Sequence, residues 1–211
     1  MKTLKTIKFL AITILILGLN SCSDDSQDDE SGTLDVKRIE NFQAPADIMD
    51  YSGAYPVVTQ EMPFHYFSFA QGLEVTVTDS WDIAFKGSKI KVNSGVSGDG
   101  QAEATVITGI FNDVTEVPET VEFNVDTAIS DTAVDYAVPY GSGNGWYTFS
   151  MDTHLYSPTP GKVILVKTND GKYAKMEILS YYKDQTTEPT IQDGGYYTFN
   201  YVYQPDGTKN F

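Results

Sequence analysis

Met151 and His154 are the residues whose types and spacing first suggest chemistry. A soft thioether and an imidazole are both ligands of haem iron, and both follow the aromatic run Trp146-Tyr147-Thr148-Phe149-Ser150-Met151, ahead of Pro158 and Pro160. Three positions apart in an extended chain, they would stand roughly 10 Å from each other on opposite faces, so they are not an opposed pair on one iron. Either one would bind with a partner from elsewhere. The plainer reading makes Met151 a core residue and His154 a wet loop residue. His65, between Phe64 and Tyr66, reads as a strand histidine.

Other chemistries are poorly supplied. The 211 residues hold one cysteine and two histidines 89 positions apart, which excludes a disulfide framework and leaves little for a zinc centre. No Gly-x-Ser-x-Gly elbow, His-Glu-x-x-His pair or nucleotide-binding lysine loop occurs. A glycosidase needs only two well-placed acids, but most of the 29 Asp and Glu residues must cover solvated surface and no pair stands out, so the chain is not expected to be an enzyme. The net charge of −15 argues against a nucleic-acid partner, which would require clustered Lys and Arg.

The elements that must position these residues are strands. Alternating or β-branched runs recur at 66–78, 81–92, 102–110, 121–125, 146–151, 162–167, 173–182 and 196–203, and no helical period stands out. Asn169-Asp170-Gly171 marks a hairpin joining 162–167 to 173–182. Gly141-Ser142-Gly143-Asn144-Gly145 leads into a strand and lacks the Lys-Ser/Thr of a phosphate loop, so it reads as a flexible turn. The expected fold is all-β, an antiparallel β-sandwich or open barrel, with 41–60 as an irregular lead-in.

The N-terminus carries other signals. Lys2, Lys5 and Lys8 precede an apolar run from Phe9 to Leu19, which is the pattern of a secretory signal over 1–21. Leu19-Asn20-Ser21-Cys22 resembles a bacterial lipobox, which makes Cys22 the lipidation site and the membrane anchor point. Removing 1–21 takes away three lysines and no acid, leaving 11 basic against 29 acidic side chains and a net charge of −18. Residues 22–40 are expected to form a disordered acidic tether, since Ser23 to Glu30 hold five acids and no large apolar group. Ser23-Asp24-Asp25 also resembles the acidic export signal of Bacteroidetes surface lipoproteins, which implies an outer-membrane protein at the cell surface. The remaining 41–211 would be a single domain.

Ordered blocks across about 61–203 resemble the HmuY family of Bacteroidetes haem-binding lipoproteins. They are Tyr66-Phe67-Ser68-Phe69, Val75 to Asp79, Trp81-Asp82-Ile83-Ala84-Phe85, Val92 to Gly98, Val117-Pro118, Gly145 to Met151, Asp170 to Lys175 and Tyr197-Thr198-Phe199-Asn200-Tyr201. The resemblance implies an HmuY-like all-β fold, haem as the bound cofactor, and transfer of haem to a TonB-dependent outer-membrane receptor involved in iron acquisition. Family members hold haem between two axial ligands, and Met151 falls where the second stands, after the Trp-x-x-Phe-Ser pattern. The first has no His or Met counterpart here, because 121–140 is shorter than the family's hairpin; Tyr136 and Tyr140 are the nearest candidates. His154 takes the place of Met151 if its loop folds inward. The alternative function on this fold is glycan or peptide binding through exposed Tyr and Trp.

Overall fold

The computed structural model describes residues 34–130 and 133–211. The signal segment 1–21, the lipidation site Cys22 and the tether as far as residue 33 lie outside the described residues. In chain order the strands are β1 (Lys37–Gln43), β2 (Ile48–Asp50), β3 (Val57–Gln60), β4 (His65–Ser68), β5 (Leu73–Val75), β6 (Ile83–Lys86), β7 (Lys89–Val92) and β8 (Glu103–Thr108). They continue as β9 (Thr127–Ser130), β10 (Ala133–Asp135), β11 (Tyr147–Phe149), β12 (Tyr156–Pro158), β13 (Lys162–Lys167), β14 (Tyr173–Tyr182) and β15 (Gly194–Gln204). Short 3-10 turns are the only helical elements among the described residues.

Two antiparallel sheets share one core. The larger has the order β1-β15-β14-β13-β8 and the smaller the order β5-β4-β6-β7. The β13–β14 hairpin forms where the sequence places it, with Lys167 opposite Tyr173 and Gly171 at φ +78 in the connecting turn. Lys-Val-Ile-Leu-Val-Lys in β13 is continuously apolar in its middle because both faces of this strand are covered. Ile164 and Val166 face the main core, while Val163 and Leu165 pack with Phe111, Val117 and Val202 in a second cluster.

The main core is aromatic. Phe199 of β15 lies 5.4 Å from Phe67 of β4, 5.7 Å from Phe85 of β6 and 6.2 Å from Phe42 of β1, ring centre to ring centre. The contacts with Phe67 and Phe85 join the two sheets into the sandwich form of the expected fold. The phenol of the fully buried Tyr197 donates to the Gly87 carbonyl at 2.8 Å, so its polar end is satisfied while its ring fills the interior.

Several boundaries differ from the sequence reading. Strand β1 begins at Lys37, inside the segment expected as tether, and pairs with β15 from Lys37↔Tyr201 to Gln43↔Tyr196. Its register shifts between Ile39 and Phe42, where Asn41 adopts φ +54. The runs at 66–78 and 81–92 each fold into a hairpin, β4–β5 and β6–β7, because chain reversals at Gly72 and Gly87 interrupt them. Residues 121–125 form no strand; Asn124 makes a single bridge to Ala104. The expected lead-in 41–60 contains the hairpin β2–β3, whose two strands pair only with each other.

Two buried aspartates tie loops to this frame. Asp82 accepts from the N–H groups of Phe69 at 2.8 Å and Asn169 at 2.7 Å, linking the β4–β5 turn to the β13–β14 turn. Asp126, with no exposed surface, accepts from Val92 N–H at 3.1 Å and Ala137 N–H at 2.8 Å. Burial pushes both carboxyls up, Asp82 to about 6. Gly95 stands against the Asp126 carbonyl at φ +60, where a Cβ would collide with that oxygen.

Candidate functional site

A cleft of about 600 Å³ opens between the β2–β3 hairpin, the β6–β7 turn and the ends of β12, β14 and β15. Its walls come from four distant stretches of chain. Met49, Tyr51 and Val58 stand on the β2–β3 side; Lys86, Gly87, Ser88 and Lys89 form the turn; Tyr140 and His154 come from the loops around β11; and Tyr156, Tyr181 and Tyr182 complete the aromatic wall. The volume lies within the range of small-molecule and cofactor sites.

The aromatic wall is an extension of the core. Tyr156 lies 5.0 Å from Tyr181 and 5.1 Å from Tyr147, and Tyr181 lies 5.8 Å from Trp146. The Tyr182 hydroxyl accepts from the Tyr156 N–H at 2.7 Å, which docks β12 on the end of β14. Burial raises the phenol pKa values of Tyr156 and Tyr181, so both rings stay neutral at physiological pH. Tyr181 and Tyr182 are almost wholly buried, so Tyr156 is the ring of this wall most open to the cleft.

His154 reaches the cleft because the chain turns sharply after β11. Strand β11 ends at Phe149, two residues earlier than the sequence pattern suggests, and Phe149 pairs with Tyr156 across the hairpin. Residues 150–155 form the connection: His154 N–H donates to the Ser150 carbonyl at 2.8 Å, and Ser150 N–H donates to the Leu155 carbonyl at 2.9 Å. His154 sits at φ +59, an uncommon conformation for a residue with a Cβ, and its ring lies 6.2 Å from Phe149.

The same turn carries Met151 outward. Met151 is 76% exposed and does not line the cleft. The extended geometry expected for Met151 and His154 is replaced by a turn, in which the backbone reversal separates the thioether from the imidazole's cavity. Tyr140 shares the cleft with His154, whereas Tyr136 lines a second cavity of about 450 Å³ with Phe123, Asn124 and Asp135. Burial raises the Tyr136 phenol pKa, and the charge of Asp126 adds to the effect. Of the four candidates, the structure therefore brings together His154 and Tyr140 and sets Met151 and Tyr136 apart.

Three contributors escaped the sequence reading. Met49 supplies a thioether on the cleft wall, and Lys86 and Lys89 supply cations. The signal at Met49 was faint, because it lies in the stretch read as irregular. His65 is engaged elsewhere, its Nδ1 2.7 Å from the Glu74 carboxylate across the β4–β5 pair. No cluster of three or more His, Cys, Asp or Glu side chains suited to a metal ion occurs among the described residues.

The donor set nevertheless fits a haem group. Imidazole nitrogen, phenol oxygen and thioether sulfur are all iron ligands, and the aromatic wall suits a planar macrocycle. No helix among the described residues is long and apolar enough to cross a membrane.

The β-sandwich frames an open aromatic cleft. A family model described as HmuY protein matches residues 61–201, and the chain belongs to the HmuY family, a family of binding proteins. Among solved structures, the chain is similar to the HmuY analogue of Tannerella forsythia in its apo form, at 17% identity and a TM-score of 0.48, covering 82% of this chain and 96% of that one. It is also similar to a protein named as a lipoprotein from Bacteroides fragilis, at 20% identity and a TM-score of 0.42, covering 67% and 84%. A protein named as HmuY-like and haem-binding, from Bacteroides vulgatus, gives 19% identity and a TM-score of 0.40 over 66% and 84%. No curated protein sequence matches the chain.

Proposed function

We propose that this protein is a surface haem-binding lipoprotein, anchored through Cys22, that captures haem and hands it to a TonB-dependent outer-membrane receptor. Membership of the HmuY family supports the ligand class. The observation that carries the reading is the convergence of His154, Tyr140 and Met49 on one aromatic cleft. His154, Tyr140 and Met49 would hold a bound haem, which would supply an iron able to accept such donors. The protein's own part would be to cover the macrocycle with Tyr156 and Tyr140 and to present His154 from a tight hairpin turn.

Hemin titration followed by absorbance tests this reading. Wild-type protein is expected to give a saturable Soret change, His154→Ala to bind roughly tenfold more weakly through loss of a ligand, and Met151→Ala to stay within about twofold. Loss confined to Met151→Ala would move the ligand role to the position given by family resemblance. With no saturable Soret change in either oxidation state, the exposed rings of Tyr51, on the cleft wall, and Tyr55, in the same β2–β3 connection, would favour glycan or peptide binding instead.

A further inference from the structure

The cleft is cationic in a strongly acidic protein. The whole chain carries a net charge of −15, yet the charged side chains lining the cleft, His154 aside, are Lys86, Lys89 and Asp47. The two lysines are not equivalent. Lys86 is committed to the Asp47 carboxylate at 3.0 Å, and that carboxylate also accepts from the Met62 N–H at 2.8 Å. Burial acts to raise the Asp47 pKa, but the Met62 N–H and the Lys86 ammonium outweigh it and hold the group below the usual carboxylate range. Asp47 is thus a fixed anion that neutralises Lys86 and anchors the base of the β2–β3 hairpin.

Lys89 forms no ion pair among the described residues. Its ammonium lies 5.7 Å from the centre of the Tyr140 ring, and Asp47 feels it only as a more distant charge. Two cations against one anion leave one positive charge unmatched at the mouth of an aromatic cavity, and the stacking contact with Tyr140 holds the ammonium near it. We infer that Lys89 is a specificity-determining residue that receives a carboxylate of the ligand, so that the cleft selects a planar aromatic molecule bearing an acidic edge. This deepens the haem reading and rests on it, since the two propionates of haem provide such an edge. Lys86 has no comparable role, because an incoming carboxylate would have to displace Asp47.

The test compares hemin with hemin dimethyl ester, whose propionates are uncharged, by Soret titration of wild-type protein, Lys89→Met, Lys89→Arg and Lys86→Met. A half-buried charge pair of this kind is expected to make wild-type protein prefer the free acid by about fivefold to tenfold. The preference should vanish in Lys89→Met, persist in Lys89→Arg, and shrink without vanishing in Lys86→Met, where the freed Asp47 charge opposes the incoming carboxylate. Equal affinity of wild-type protein for acid and ester, or an undiminished preference in Lys89→Met, would overturn the Lys89 assignment and leave haem binding standing. No saturable change with either porphyrin would overturn both.

Discussion

Replacing Phe199 by alanine is expected to cost about 3–5 kcal/mol of unfolding free energy, read from the midpoint of a urea transition at unchanged slope. Phe199 is fully buried and touches Phe67 and Phe85 of the facing sheet, Phe42 of the neighbouring strand β1 and Tyr201 of its own strand. Alanine would leave a cavity at the point where the two sheets meet, and rings of neighbouring phenylalanines cannot collapse into it without leaving their own contacts. A loss below about 1 kcal/mol would mean that the sheets repack freely, contrary to a specifically packed core.

Asp82→Asn is expected to alter stability in a pH-dependent way. The Asp82 carboxyl, pushed by burial to about 6 from an ordinary 3.8, binds its proton more tightly in the folded chain than in the unfolded one. Its stabilising contribution is therefore fully present below pH 3.8 and is lost as pH rises through 6, to a total of about 2–3 kcal/mol. Asparagine removes this titration. It also replaces one of two acceptors by an amide donor, so that the N–H of either Phe69 or Asn169 faces a donor, at about 1–3 kcal/mol. Thermal unfolding of both proteins between pH 4 and 7 checks the sign: the wild-type advantage over the variant should be largest at pH 4 and shrink toward pH 7. Parallel pH profiles would assign the titration to another group. The difference between the proteins is the quantity to follow, because Asp47 and Asp170, whose carboxyls are held low, push the absolute stability the other way.

Legibility of the sequence followed burial. Strands β13 and β14, apolar in their interiors and separated by Asn169-Asp170-Gly171, were readable with their pairing because side-chain pattern and turn chemistry agreed. Strand β1 was hidden because Lys37, Arg38 and Glu40 on an exposed edge look like tether, and only Ile39 and Phe42 point to the body of the protein. The hairpin β2–β3 was hidden for a related reason, since Val57 and Val58 are exposed and carry no alternation. At the cleft, His154 could be named from residue type and Tyr140 from the family resemblance, but their meeting with Met49 and Lys89 depends on strand order. Met151 shows the converse: the sequence pattern reads it as the last residue of an aromatic strand, but the strand ends at Phe149 and the turn that follows faces it to solvent.

The register break within β1 bears on how copies of this protein behave when crowded. An edge strand exposes a row of unpaired N–H and C=O groups, an invitation for a second sheet to add on. Here the outer edge carries Lys37 and Arg38, then breaks register at Asn41, whose left-handed backbone turns the following residues out of line. At the opposite edge, the Asn124 bridge to Ala104 occupies hydrogen-bonding positions of β8. Neither margin of the large sheet offers a long straight template, so dense packing of many copies side by side does not have to end in intermolecular β-pairing and aggregation.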